Sequence, residues 1–294
     1  MKNSSGTNLK YYLELSKLKV MIPVSLTGFI GYFLFDPHIS VKSIIVTIGI
    51  LLIAISASVL NQIQEIKEDR IMTRTKNRPL PSGKLKVNQA LIFLILILVT
   101  GLIILYYYGN SKAAFIALLT IICYNGIYTL LKRITAFAVV PGAITGALPP
   151  VIGWVAAGGS EWDQSIVFIG FLIFIGQIPH FWLLILQYGE EYKKAGFPSL
   201  TEIFSPNQIS RLTFTWVLSS VIAALFLGYF EIITSSIVIG ILLLGSTVLV
   251  WQFIGLIRNT GNVKNYRRYS IMLNSYYFLV LLLLVADRFI SIRV

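Results

Sequence analysis

The sequence predicts an all-α polytopic membrane protein, with residues 1–294 forming one integral-membrane domain of nine transmembrane helices. Three observations predict it. Hydrophobic residues fill 56% of the positions and charged residues only 12%, against roughly 25% charged in a soluble domain. Nine apolar runs have about the 17 to 25 residues that cross a bilayer. Of the 24 Lys and Arg, all but Lys42, Lys112, Arg288 and Arg293 fall on one face of the resulting topology.

The first run, Leu18–Phe35, leads straight into Ile44–Leu60 without a small-residue cleavage pattern, so no cleavable secretory signal is expected. Ala90–Tyr108 and Ala113–Leu131 follow, joined by a short loop. Ala136–Ala157 carries Pro141, Pro149 and Pro150 among small residues, which lets membrane helices approach closely or bend around a cavity. Ile166–Leu186, Leu212–Tyr229, Ile232–Phe253 and Ile271–Ala286 complete the set. The long connections, 61–89 and 187–211, share the basic face. Under the positive-inside rule that face is cytoplasmic, with the N-terminus inside and the C-terminus opposite, in a cell (plasma) membrane. The net charge of +12 and isoelectric point near 9.7 then report topology and contact with the lipid bilayer. No nucleic-acid motif is present, and no nucleic-acid partner is expected. A lone cysteine, Cys123, excludes an intramolecular disulfide and a multi-Cys metal site.

The densest charge lies in Asn61–Gly83, NQIQEIKEDRIMTRTKNRPLPSG. Asn61, Glu65 and Asp69 are spaced i, i+4, i+8 and share a face while a helix lasts. Two carboxylates and an amide suit Mg²⁺, which takes few protein carboxylates and shares itself with substrate phosphates. Arg70, Arg74, Lys76 and Arg78 follow at once and offer charge to phosphate. A solvated topogenic loop would need the bases but not the acids. The helical pattern is expected to end at Arg78-Pro79-Leu80-Pro81.

The second long segment repeats this logic. Glu190 and Glu191 lie just past an apolar run and precede Lys193 and Lys194. Lys132 and Arg133 end the fourth run, after Tyr124, Asn125, Tyr128 and Thr129. His180, within the sixth run, is a functional suspect because ionisable groups are costly inside a membrane; a hydrogen-bonded packing role is the alternative. His38 is expected to be solvated.

Together these segments resemble the UbiA superfamily of intramembrane prenyltransferases, most closely its protohaem IX farnesyltransferase (haem O synthase) branch. The first acidic motif and its Met-x-Arg-Thr-x-x-Arg-Pro-Leu-x-x-Gly continuation are matched by Asn61, Glu65, Asp69, Met72, Arg74, Thr75, Arg78, Pro79, Leu80 and Gly83. Tyr128–Arg133, Gly146–Trp154, Pro179–Trp182, Glu191–Pro198, Tyr269–Ile271 and Asp287-Arg288 are similar to further segments of the branch. Glu65 and Glu191 stand where the branch has Asp, Lys67 where it often has Asp, and Tyr188 where Arg is usual.

The resemblance implies nine helices around a central cavity opening near the cytoplasmic face. It implies Mg²⁺ held by Asn61, Glu65, Asp69 and Glu191, with Glu190 as the alternative acid in the second motif. Arg70, Arg74, Arg78, Lys132 and Arg133 become phosphate partners. Tyr128 and Tyr124 would shelter an allylic cation, and His180 would orient or ligate haem iron. The substrates implied are farnesyl diphosphate and haem b, with a complex with a downstream haem-modifying enzyme a further possibility. The departures leave open another lipid-soluble acceptor, such as a quinone precursor or chlorophyll-like ring. A non-catalytic transporter or scaffold is disfavoured, since polar groups gather at helix ends and acid replaces acid.

Overall fold

The computed structural model describes residues 4–258 and 263–293. Among these residues nine helices are long and apolar enough to cross a membrane, one for each predicted run. In order, α1 (Ser4–Leu15) lies ahead of the spans, followed by α2 (Leu18–Phe35), α3 (Val41–Gln64), the short α4 (Ile66–Ile71) and α5 (Val87–Ile104). Then come α6 (Ser111–Ile121), α7 (Thr129–Leu131), α8 (Val139–Ala157), α9 (Gln164–Lys194), α10 (Leu200–Ile203), α11 (Pro206–Tyr229), α12 (Ser236–Arg258) and α13 (Val263–Arg293).

Several boundaries differ from the hydropathy pattern: α12 and α13 both run beyond their apolar runs at the charged end, and the two boundaries flanking the second long connection bear on the site. The sixth span does not stop where its apolar run stops: α9 continues through Glu190 and Glu191 to Lys194. Charged residues hide a helix end from hydropathy without breaking the helix, and Lys193 and Lys194 in the last turn favour its negative dipole end. The seventh span begins at Pro206, behind a Ser205 cap, rather than at Leu212. The second long connection is thus mostly helical.

The tightest joint is α2 against α8, where backbone meets backbone. A Cβ on Gly31 would fall 2.0 Å from the Pro150 carbonyl oxygen, and one on Gly153 would fall 1.8 Å from that of Gly28. Lipid removes most of the hydrophobic gain of packing helices together, so close van der Waals approach of small residues carries the association. α8 keeps its helix through Pro149 and Pro150. One buried cluster runs through α2, α3, α6, α8, α9 and α11 to α13. A second joins Leu15 to Ile55, Val59, Leu80 and Leu85, fastening α1 and the 72–86 loop to the end of α3.

Gly153→Val therefore forces α2 and α8 apart. The expected cost is at least about 3 kcal/mol, read as a lowered Tm in mild detergent. Gly240→Ala, where an added Cβ meets nothing within 4 Å, is expected to leave Tm unchanged.

Candidate active site

The α3 helix ends at Gln64 because Glu65 leaves helical geometry, with φ −111° and ψ 19°. The break is local. Glu65 still donates its amide to the Asn61 carbonyl (3.0 Å), and Asp69 donates to that of Glu65 (2.8 Å). Asn61, Glu65 and Asp69 therefore stay together, only 5%, 4% and 1% exposed. The helical pattern ends earlier than Arg78: α4 stops at Ile71, and the 72–86 segment folds by turns. Thr75 Oγ1 donates to the Asp69 carbonyl (2.9 Å), and Arg70 Nε donates to that of Pro81 (3.2 Å).

Buried carboxylates need partners, and each acid here has one. Arg78 Nη1 lies 2.7 Å from Asp69 Oδ2, Lys132 Nζ contacts Glu65 Oε1, and Arg133 Nη2 lies 2.9 Å from Glu68 Oε1. Asn61 Nδ2 donates to Glu65 Oε1 (2.7 Å) and to Thr129 Oγ1 (3.3 Å). Two sequence-distant basic segments thus close over one acidic cluster.

Between them the fourth span departs from α geometry. Residues Ile122–Tyr128 form a π-helical turn, a widening often found at functional sites. Asn125 inside it donates to the Ala57 carbonyl (3.0 Å) and to Gln64 Oε1 (3.1 Å), while Gln64 Nε2 returns a bond to the Asn125 carbonyl (3.1 Å). This exchange fixes the turn to α3. It sets the Tyr124 and Tyr128 rings 5.4 Å apart and nearly parallel. Tyr128 packs in turn on Phe181 (6.0 Å), and Phe181 on His180 (5.9 Å). An aromatic row so runs from the acids to the histidine. A cavity of about 60 Å³ opens beside it, with Tyr128, Lys132, Val139, Phe181, Tyr192 and Phe197 in its walls. Gly142 leaves the space Tyr128 occupies, since a Cβ there would lie 2.7 Å from the ring.

The second motif reaches the first through the 72–86 loop. Glu191 Oε2 accepts the Arg74 amide (3.3 Å), and the Arg74 guanidinium sits 5.0 Å above the Tyr188 ring. Tyr188, in place of the usual arginine, thereby seats a cation instead of supplying one. Met72, Ala195 and Phe197 pack together beneath this contact. Glu190 points to the exposed side of α9. His180 Nδ1 lies 3.0 Å from Asn274 Oδ1 on α13. With the amide oxygen as acceptor, Nδ1 is the donor of this pair. His38 is exposed beside Asp36.

Two members of the cluster were not legible in the sequence. Glu68 is brought in by Arg133, and its Oε2 is buried without a hydrogen-bond partner among the described residues. Lys17, between α1 and α2, adopts a left-handed conformation with φ 46°. Burial first, and Arg78 next, push its ammonium down to about 7, while Asp69 and Glu65 pull the other way. Backbone strain at a half-buried lysine within electrostatic reach of this cluster is the kind of feature that marks a site, and no sequence pattern announces it.

The donor set fits a hard divalent cation, consisting of carboxylate and amide oxygens with one carboxylate oxygen unsatisfied. Among the described residues, no three acidic, His or Cys groups converge closely enough to hold a metal alone.

A model of the UbiA prenyltransferase family matches residues 23–284. The protoheme IX farnesyltransferase of Oleidesulfovibrio alaskensis is 33% identical over 279 residues, spanning 95% of this chain and 96% of its own. That of Cytophaga hutchinsonii is 34% identical over 259 residues, spanning 84% and 89%. A digeranylgeranylglyceryl phosphate synthase structure shares the fold with a TM-score of 0.76 at 24% identity, covering 95% of this chain and 98% of its own. So does a UbiA homolog from Archaeoglobus fulgidus bound to GPP and Mg²⁺, at TM-score 0.68 and 17% identity, covering 97% and 100%. The chain belongs to the UbiA prenyltransferase family, as a membrane-embedded prenyltransferase similar to protoheme IX farnesyltransferases.

Proposed function

We propose that the protein is a haem O synthase, transferring a farnesyl group from farnesyl diphosphate to a vinyl group of haem b. One observation carries the reading: a buried acid–base cluster is joined by a row of aromatic rings to a histidine held by Asn274. The likeness to protoheme IX farnesyltransferases along nearly the whole chain supports it.

In this reading Asn61, Glu65, Asp69 and Glu191 hold Mg²⁺, with Glu68 added to the set and Glu190 left outside it. Bound there, the ion supplies positive charge to the departing diphosphate. Arg78, Lys132 and Arg133, now paired with the acids, turn toward the phosphates, with Lys17 and Arg74 beside them. Arg70, engaged with the loop backbone, shapes the site instead. Heterolysis of the allylic C–O bond leaves the electron pair on the diphosphate, where these cations stabilise it. Tyr124, Tyr128 and Phe181 offer π faces to the allylic cation, each worth about 0.5 to 2 kcal/mol, and keep water from it. The vinyl π pair forms the new C–C bond. Water then adds to the resulting haem-side cation and loses a proton, leaving a hydroxyethylfarnesyl group. His180, its Nδ1 fixed by Asn274, presents Nε2 to the haem iron. The basic face is cytoplasmic, in the plasma membrane.

Tyr188 favours one alternative. Without an arginine fork at that place, recognition of a haem propionate is weaker, and a quinone precursor or another lipid-soluble ring becomes the acceptor.

Protein in lipid nanodiscs, given haem b, farnesyl diphosphate and Mg²⁺, is expected to yield farnesylated, hydrated haem by mass spectrometry. EDTA abolishes the product, and Asp69→Asn lowers turnover about 10²- to 10³-fold. Diphosphate release with a quinone precursor but not with haem would decide for the alternative. His180→Ala is expected to lower haem turnover roughly 10- to 100-fold while leaving the affinity for farnesyl diphosphate unchanged; unaltered haem kinetics would return His180 to packing.

Lys17 predicts a pH dependence. Desolvation and Arg78 depress its pKa to about 7, so the ammonium loses its proton above that pH, whereas a bound anion favours the charged form. Binding therefore takes up a proton, and donor affinity falls as pH rises from 7 toward 9. Farnesyl diphosphate titrations of wild type and Lys17→Gln separate this from titration of the diphosphate itself. The slope should be shallower in the variant, and equal slopes would remove Lys17 from the site.

A further inference from the structure

A second pair of basic side chains, Arg258 and Arg268, lies on α12 and α13. Where α12 and α13 meet on the charged face, a cleft of about 520 Å³ lies between them. Arg258 and Arg268 line its outer end, with Gln252 and Tyr269, and Trp251, Ile254 and Met272 line the rest. Among the described residues neither arginine is ion-paired with an acid. Two guanidinium groups facing one cleft repel each other unless an anion lies between them.

The lining changes character with depth. Arg258 lies seven positions beyond Trp251 on α12, roughly 10 Å along the helix axis. Met272 lies one turn below Arg268 on α13. Both walls therefore run from cationic at the membrane surface to apolar within it. Trp251, at the deeper level, is 73% exposed. A free ion would use only the outer end of such a cleft, whereas a molecule with an anionic head and a hydrocarbon chain matches its whole length. Basic pockets between helices at an inner membrane face bind headgroups of this kind.

We propose that the α12–α13 cleft is a binding site for an anionic phospholipid, its phosphate between Arg258 and Arg268 and its acyl chain along Trp251 and Met272. The site is separate from the prenyl-transfer chemistry and does not depend on the acceptor.

Dioctanoyl phosphatidylglycerol, dioctanoyl phosphatidylcholine and sn-glycerol-3-phosphate are titrated into the full-length protein in neutral detergent, and bound species are counted by native mass spectrometry. Phosphatidylglycerol is expected to bind in preference to both others. Arg258→Gln with Arg268→Gln should weaken it roughly 25-fold. The corresponding double Lys variant should keep most of the binding, separating charge from folding, and Arg288→Gln on the other face should keep all of it. Equal binding of phosphatidylcholine, or full retention in the double Gln variant, would overturn the proposal. Binding of glycerol phosphate as tight as that of the lipid would overturn it too, by making the cleft a free-phosphate site.

Discussion

The site rests on charge compensation where water is scarce. Glu65 and Asp69 are almost fully buried, and a carboxylate removed from water is costly unless a partner replaces the lost hydration. Lys132 and Arg78 replace it, one from the end of the fourth span and the other from the loop after α4. The loop must fold back on α3, and the fourth span must end beside it. Removing one partner of such a pair leaves a bare buried charge, which typically costs about 3 to 5 kcal/mol. The same arrangement suits anion chemistry, because cations held by carboxylates would also attract the phosphates of the proposed substrate.

Around this cluster the fold supplies position more than chemistry. The Gly31–Pro150 and Gly153–Gly28 contacts lock α2 to α8. Gly142 on α8 leaves room for Tyr128. The π-helical turn, pinned by the Gln64–Asn125 exchange, turns Tyr124 and Tyr128 into a stacked pair. Phe181 carries the row on to His180, whose ring is set by Asn274 from the last span. The second acidic motif is joined by a weaker clasp, the Arg74–Glu191 and Arg74–Tyr188 contacts, both at the surface. That difference in burial makes the Arg74 contacts with the end of α9 easier to release than the Arg78–Asp69 pair, which the buried side chains of the same loop hold in place.

The nine spans were legible because crossing a bilayer demands long apolar runs, and composition alone exposes them. Asn61, Glu65 and Asp69 were legible from spacing, although the helix breaks at Glu65 and is held in line only by backbone hydrogen bonds. The end of α9 is hidden because hydropathy does not distinguish a charged helical turn from a loop. Glu68 and Lys17 were missed for a different reason: what marks them is a partner or a backbone angle set by the tertiary fold. Tyr188 was legible as a departure from the family pattern, but its role as a seat for Arg74 needed the two motifs to be seen together.

The central claim is that the two acidic motifs form one metal–diphosphate site that the protein alone leaves incomplete. Electron paramagnetic resonance of Mn²⁺, as a stand-in for Mg²⁺, tests it on the purified protein with and without farnesyl diphosphate. The account predicts weak binding to the protein alone and tight binding once the donor is present, with phosphorus hyperfine coupling from the shared diphosphate. Mn²⁺ held tightly without the donor, or showing no phosphorus coupling with it, would contradict the account.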